Sequence, residues 1–449
     1  MRKHYHFVGI GGIGMSALAR ILLRKGEKVS GSDAKGSSAL EQLKQEGAEV
    51  TVGHSPKNVR KPHAVIYSTD VPQDNLELVY AKKEKIPLLH RSELLAQMMT
   101  GYAPILVTGT HGKTTTAALL AHTLVEAGFD PSFAIGGYLN GTNTNGRYGK
   151  GLYFAIEADE SDGSFLNYPS FSAIITNLEH DHMNYWKSEK ALLDAFEQFA
   201  SQVGSKKHLF WCYDDILLRS LNLDGYSYGF NEHADLVINN FQQIKWKMTF
   251  DLTFEGKHYL NLEIPLIGAH NVLNSAAVFG LGIKLDVPEA SLRKGLITFK
   301  GVGRRVEKKG ETGNIEIYDD YAHHPTEIFA TLRAIRSATR GKRIVVAFQP
   351  HRYSRTQYCL DDYADAFEYA DQVIVTDIYA ARETPIPEIT PERICQQVKA
   401  DGFRDIQFVK RDNLTQYLSQ FLKPGDVLIT MGAGDITTVG PAVLNILMT

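Results

Sequence analysis

Cysteine is scarce in this chain: Cys212, Cys359 and Cys395 are the only three in 449 residues. Thiols so few and so scattered form neither a disulfide framework nor the paired spacing of a zinc site, and they suit a reducing compartment. An excess of one charge is also missing. Lysine and arginine total 48 against 51 acidic residues, net −3, so no global positive field gathers nucleic acid or an anionic membrane. Apolar runs are short. None approaches the roughly 18 residues of a spanning helix, and the stretch from Phe7 is broken by glycines rather than followed by a cleavage signal. These absences lead us to expect a cytoplasmic chain with no membrane insertion and no nucleic-acid partner.

What the sequence does contain is an α/β pattern. Three times an apolar β-type run breaks into a glycine-rich or polar turn and then an amphipathic helical stretch. At about 150 residues per domain the length also points to three domains. The first unit begins with a strand over residues 5–10 and continues with strands over 28–31, 49–52 and 64–67. It ends near Gly101 and Pro104, where a second unit opens with a strand over 105–107. Further buried strands are expected at 153–156 and 173–176. Residues 236–267 change to period-two alternation with a turn at Glu255-Gly256, an antiparallel appendage. The glycine-broken basic stretch around Arg305 reads as a hinge into a third unit with strands over 315–318, 343–348, 372–376 and 426–431. The expected domains are therefore 1–101, 102–299 and 300–449.

Each unit carries polar clusters at the carboxyl ends of its strands, where open α/β sheets bind ligands. Gly9, Gly11, Gly12 and Gly14 lie between a strand and a helix, and Asp33 ends the next strand. That order resembles a dinucleotide fingerprint, but the unit is long enough for one mononucleotide half only. A diphosphate other than NAD is the better expectation. Thr108-Gly109-Thr110-His111-Gly112-Lys113-Thr114-Thr115-Thr116 follows a buried strand and opens a helix. Backbone N–H groups there would cradle phosphates, Lys113 would reach the β and γ positions, and Thr114 would meet a magnesium ion. Val107 stands where an ordinary phosphate loop has its first glycine. The lysine is expected to face solvent when nucleotide is absent.

Glu157-Ala-Asp159-Glu160-Ser-Asp162 and Glu179-His180-Asp181-His182 end two more strands. Their hard oxygens suit magnesium, with His182 an unusual neighbour for that ion; a solvated acidic loop is the alternative. Asn271 and Asn274 share a helix face, as ligands or as a cap. Arg352 and Arg355 form a pair able to hold a small carboxylate, or else make surface salt bridges.

Taken in order, the glycine loop with Asp33, TGTHGKTTT, EADESD, HDHM, HNVLN, GRR, DDYAHHP and QPHRYSRT resemble the Mur ligases of peptidoglycan synthesis, over residues 4–436. The resemblance implies a Rossmann-like UDP-binding domain, a central P-loop-type ATPase domain and a Rossmann-like C-terminal domain. It implies ATP-dependent, ADP-forming ligation of L-alanine to UDP-N-acetylmuramate through an acyl phosphate, with magnesium or manganese, by a monomer or homodimer. It places Gly11, Gly12 and Gly14 at the pyrophosphate and Asp33, His54 and Ser68 near uridine or its ribose. Gly109, Thr110, His111, Gly112, Lys113, Thr114 and Thr115 fall at ATP, and Thr114, Glu157 and His182 at the metal. Asn271 and Asn274 match the adenine side, which now favours ligand over cap. Arg305 matches a hinge arginine and Asp320 a carboxylate reaching the nucleotide, while Tyr321, His323, His351, Arg352 and Arg355 match the alanine pocket. Lys113, Glu157, His182 and Arg305 are the implied catalytic set. An NAD-dependent dehydrogenase would leave Lys113 idle, and a nucleotide sensor has no use for the arginine pair; folylpolyglutamate synthase and the murein tripeptide ligase are the nearest alternatives.

Overall fold

A computed structural model describes residues 2–449, with three β-sheets flanked by helices. The first sheet runs Glu49–Val52, Lys28–Asp33, His4–Val8, Ala64–Tyr67, Leu88–His90, all parallel. Strand order reverses direction beside His4–Val8, so the glycine turn that follows this strand opens at the switch point where such sheets bind ligands. The strand ends two residues sooner than the sequence suggests. Gly9 turns to φ +79, and the N–H groups of Gly9 and Ile10 bond to Ser32 instead of extending the ladder.

The second sheet has ten strands, in the order Lys257–Ile264, Lys247–Phe254, Leu236–Ile244, Tyr226–Gly229, Leu209–Cys212, Ser172–Ile175, Ala103–Thr108, Tyr153–Glu157, Ser132–Leu139, Thr144–Arg147. Ala103–Thr108 is buried along its whole length, as a parallel strand covered on both faces must be, which is why it reads as a continuous apolar run. The expected appendage is present. Lys247–Phe254 and Lys257–Ile264 are joined by Glu255-Gly256, both at positive φ, as a two-residue hairpin turn requires. The Ser132–Leu139 and Thr144–Arg147 hairpin was not expected.

The third sheet runs Glu307–Thr312, Ile315–Asp320, Asp426–Met431, Arg343–Phe348, Gln372–Val375, Ile406–Phe408, parallel apart from its first strand. Alternate residues build two cores: Ile344, Val346 and Phe348 face one layer of helices, and Val345 and Ala347 the other. Two compact units result. One holds the first two sheets; the other comprises Gly301–Thr449 with Phe241–Thr249 and Pro265–Asn271.

Within the first unit, the unexpected hairpin grips the helix Ile13–Arg24 that follows the glycine loop. Asn145 donates to the Ile13 carbonyl at 2.6 Å and to Ser16 Oγ at 3.1 Å. Arg20, only 1% exposed, bonds to Asn145, Glu46 and Gln42 and lies over the Tyr138 ring. A buried arginine is tolerated because its guanidinium finds these partners.

Candidate active site

The phosphate loop is built by the end of Ala103–Thr108 and the start of the helix Lys113–Glu126. Gly109 sits at φ +125, where a Cβ would fall 2.2 Å from Thr176 Oγ1, so only glycine lets the loop lie against residues 176–177. Gly112 takes a left-handed φ of +80 as the N-cap. The loop is stitched to the next strand end: the Thr110 N–H donates to the Asn177 carbonyl at 3.1 Å and the His111 N–H to Asn177 Oδ1 at 2.8 Å. His111 Nε2 stands 3.2 Å from Glu179. Thr115 is buried in the first helical turn.

Lys113 does not face solvent, contrary to expectation. Its side chain is 12% exposed, and Nζ donates to the Gly109 carbonyl at 2.6 Å and to Glu160 Oε1 at 3.0 Å. Burial alone would lower the affinity of this ammonium for its proton, but Glu160, Asp159 and Glu157 outweigh it and raise the pKa. Three carboxylates around one ammonium do not share equally. Asp159 is held below its ordinary range, because Lys113, Ser161, Arg91 and His182 more than offset its burial, whereas burial pushes Glu160 up to about 7. Thr114 Oγ1 donates to Glu157 Oε1 at 2.9 Å, and the Gly136 N–H to Glu157 Oε2 at 2.6 Å. Hydroxyl and carboxylate oxygens thus meet beside the loop, a donor set that fits magnesium. Asn274 stands beside Gly112, its Oδ1 3.0 Å from where a Cβ would be. His182, at φ +56, has Asp181 at 3.5 Å.

In the first sheet, the Asp33 carboxylate accepts the Gly11 N–H at 2.9 Å, closing the glycine loop on itself. Gly12 caps the helix. Gly14 faces Arg91, whose Nη2 also lies 3.6 Å from Asp162. Nothing in the sequence singled out Arg91. His54 bonds to Ser32 at 2.9 Å, and Ser68 is half-buried at the end of Ala64–Tyr67. Beneath His54 lies Glu77, fully buried and also missed.

In the second unit, Tyr321, His323 and His351 form a run of edge-to-face rings 5.5 and 5.6 Å apart. Tyr379 stacks on His351 at 5.7 Å. Burial first, then His323, Arg355, Arg352 and Arg304, push His351 down to about 2. An imidazole so placed stays neutral amid a concentration of cations. Arg355 reaches His351 at 3.2 Å, and the Nε atom of Arg352 is buried without a hydrogen-bond acceptor, which fits an anionic ligand. Arg352 at φ +69 is turned by bonding its N–H to the Tyr379 carbonyl at 2.8 Å. Arg304 and Arg305 lie over the Tyr321 ring at 4.8 and 5.0 Å. Asp320 accepts from Val306 at 2.7 Å and from Ala322 at 2.8 Å; burial raises it to about 6, against the pull of Arg305. Asn271 donates to the Ile267 carbonyl at 2.7 Å.

Comparison with known proteins covers the same ground. Mur ligase family models match successive segments: "Mur ligase family, catalytic domain" over residues 4–103, "Mur ligase middle domain" over 107–282 and "Mur ligase, glutamate ligase domain" over 304–434. The UDP-N-acetylmuramate--L-alanine ligase of Protochlamydia amoebophila is 49% identical over 448 residues, 100% of this chain and 99% of that protein. The bifunctional enzyme MurC/Ddl of Chlamydia caviae is 42% identical over 98% of this chain and 54% of its own length. Among solved structures, UDP-N-acetylmuramate-alanine ligase MurC from Thermotoga maritima superposes with a TM-score of 0.87 at 29% identity, covering 100% of this chain and 99% of that one.

Proposed function

The chain belongs to the Mur ligase family, and from that premise we propose that it joins L-alanine to the lactyl carboxylate of UDP-N-acetylmuramate, forming ADP and phosphate. The observation that carries the reading is that one chain holds both a phosphoryl-transfer constellation, Lys113 with Thr114 and Glu157, and a half-buried arginine pair beside His351, Arg352 and Arg355. The whole-length likeness to ligases of that name supports it.

A carboxylate resists an amine because its carbonyl carbon is electron-rich and oxide leaves poorly. Transfer of the γ-phosphoryl group of ATP to the lactyl carboxylate removes both obstacles. We assign the loop residues Gly109, Thr110, His111, Gly112 and Thr115 to holding phosphates, and Lys113 to neutralising charge on the γ-phosphoryl group in flight. Thr114 and Glu157, with His182 near, are assigned to magnesium, which when bound would offset phosphate charge. Asn271, Asn274, Arg305 and Asp320 are assigned to the nucleotide. Gly11, Gly12 and Gly14 take the pyrophosphate, and Asp33, His54 and Ser68 the uridine side. Arg352 and Arg355 fix the carboxylate of L-alanine, while Tyr321, His323 and His351 limit its side chain. The amine then attacks the acyl phosphate, and the tetrahedral intermediate expels phosphate. Domains at 1–101, 102–299 and 300–449, a cytoplasmic location and a monomer or homodimer complete the proposal.

Hydroxylamine in place of L-alanine should yield a UDP-muramoyl hydroxamate that requires ATP. A positional isotope experiment with no oxygen passing from substrate carboxylate to phosphate would rule the acyl-phosphate route out.

A further inference from the structure

The first domain contains a buried polar network that the ligation chemistry does not use. Glu77, 0% exposed, lies at its centre. Its Oε1 accepts the Ser55 N–H at 3.0 Å and Asn58 Nδ2 at 2.7 Å. Its Oε2 faces His6 Nε2 at 3.2 Å and Ser32 Oγ at 2.5 Å. The Asn58 amide also donates to the Gly53 carbonyl at 3.1 Å, so both of its N–H groups are engaged. A carboxylate surrounded in this way only accepts, and that fixes the direction of every proton around it.

Ser32 has one hydroxyl proton. At 2.5 Å from a carboxylate oxygen the serine must give that proton to Glu77, since two lone pairs cannot face each other at that distance. Ser32 Oγ is then left as an acceptor toward His54 Nδ1, 2.9 Å away. The neutral imidazole therefore carries its proton on Nδ1, and Nε2 is left with a free lone pair. His54 follows the strand Glu49–Val52, paired with Lys28–Asp33 so that Val52 lies opposite Asp33. Its side chain is 24% exposed, at the carboxyl edge of the sheet where a nucleoside sits in this topology.

We infer that Glu77, acting through Ser32, is a positioning residue that fixes His54 as a hydrogen-bond acceptor for the N3–H of uracil, selecting uracil over cytosine, whose N3 is itself an acceptor. The inference rests on the uridine-side reading of His54 given above. On the other side of Glu77 the same rule orders a second chain. His6 gives Nε2–H to Glu77 and accepts from Ser30 at Nδ1, 2.8 Å away, and Ser30 accepts from His4 Nε2 at 2.8 Å. Each of these polar atoms is thereby satisfied with one proton apiece.

The test uses the full chain with 15N-labelled histidine, the His54 signal being assigned by its loss in His54→Gln. Long-range 15N–1H correlation should show His54 protonated at Nδ1 and bare at Nε2, with the Nε2 resonance moving when UDP is added. UDP should bind at least about tenfold more tightly than CDP, the worth of one hydrogen bond. Ser32→Ala, a small change that leaves Glu77 its other donors, should give a mixture of tautomers and narrow that preference. It should also raise KM for UDP-N-acetylmuramate about tenfold with KM for ATP unmoved. A proton on Nε2 in the unsubstituted protein would overturn the inference. So would an Nε2 resonance indifferent to UDP in a protein that still ligates UDP-N-acetylmuramate, whereas absence of ligation altogether would instead sink the functional reading.

Discussion

Lys113 is a structural cation before it meets a phosphate. Lys113→Ala should leave Glu160 in a dry pocket without its partner, costing about 3 kcal/mol of stability as well as a hundredfold or more in kcat. In Lys113→Ala combined with Glu160→Gln the melting temperature should recover while turnover does not, as read by thermal unfolding and phosphate release. An unchanged melting temperature in the single variant would contradict the buried pair. Glu77 makes a second residue-level claim. Burial would raise its carboxyl, but His6, Ser32, Ser55 and Asn58 outweigh that and hold it at about 2, against an ordinary 4.5. A depressed folded pKa stabilises above the unfolded value, so the gain is full above about pH 4.5 and is lost as pH falls toward 2. That difference corresponds to about 3 kcal/mol. Glu77→Gln should be less stable at pH 7 and should lose less between pH 4.5 and 2 in chemical denaturation; equal acid sensitivity would count against it. TGTHGKTTT was legible because a phosphate loop is one contiguous segment. Glu77 was not, because its donors come from residues 6, 32, 55 and 58, which only the fold assembles.

At the scale of elements, apolar strands such as Ala103–Thr108 and Arg343–Phe348 announce themselves by composition, since burial on both faces leaves no room for polar alternation. The hairpin Ser132–Leu139 with Thr144–Arg147 does not. Gly136 and Gly137 interrupt SFAIGGYL and Asn145-Gly146 make up half of TNGR, residues that strands disfavour, and the pair is held by parallel pairing of Ser132–Leu139 with Tyr153–Glu157 and by contact with the helix Ile13–Arg24. Gly146 shows how close that contact is, for a Cβ there would stand 2.4 Å from the Ala17 carbonyl oxygen. Gly146→Ala should therefore cost about 1–3 kcal/mol, as overpacking does. Gly204→Ala, with nothing within 4 Å, should be close to neutral. Equal melting temperatures for the two would show that the hairpin does not bear on the helix. The same hairpin carries the Gly136 N–H to Glu157. It therefore links the helix behind the glycine loop to the acidic strand end of the phosphate site.

For the whole molecule, the α/β class and the order of the motifs were legible because each sheet repeats a strand, turn and helix whose polar residues gather at one edge. The partners of individual charges were not, since charge pairing is set by packing between distant segments. The site proposed for the amino acid is the group of cations around His351. Arg352 and Arg355 would bind the carboxylate of any amino acid, so selectivity must come from the volume left by Tyr321, His323 and His351. One methyl or hydroxyl in such a pocket is worth only about 1–3 kcal/mol. The most direct test is kcat/KM for ATP-dependent phosphate release with UDP-N-acetylmuramate and, in turn, glycine, L-serine, L-alanine, D-glutamate and a murein tripeptide. L-Alanine should be best, with glycine and L-serine roughly ten- to two-hundredfold lower and the bulkier or acidic compounds inactive. A best value for D-glutamate or the tripeptide, or no release with any of them, would contradict the account.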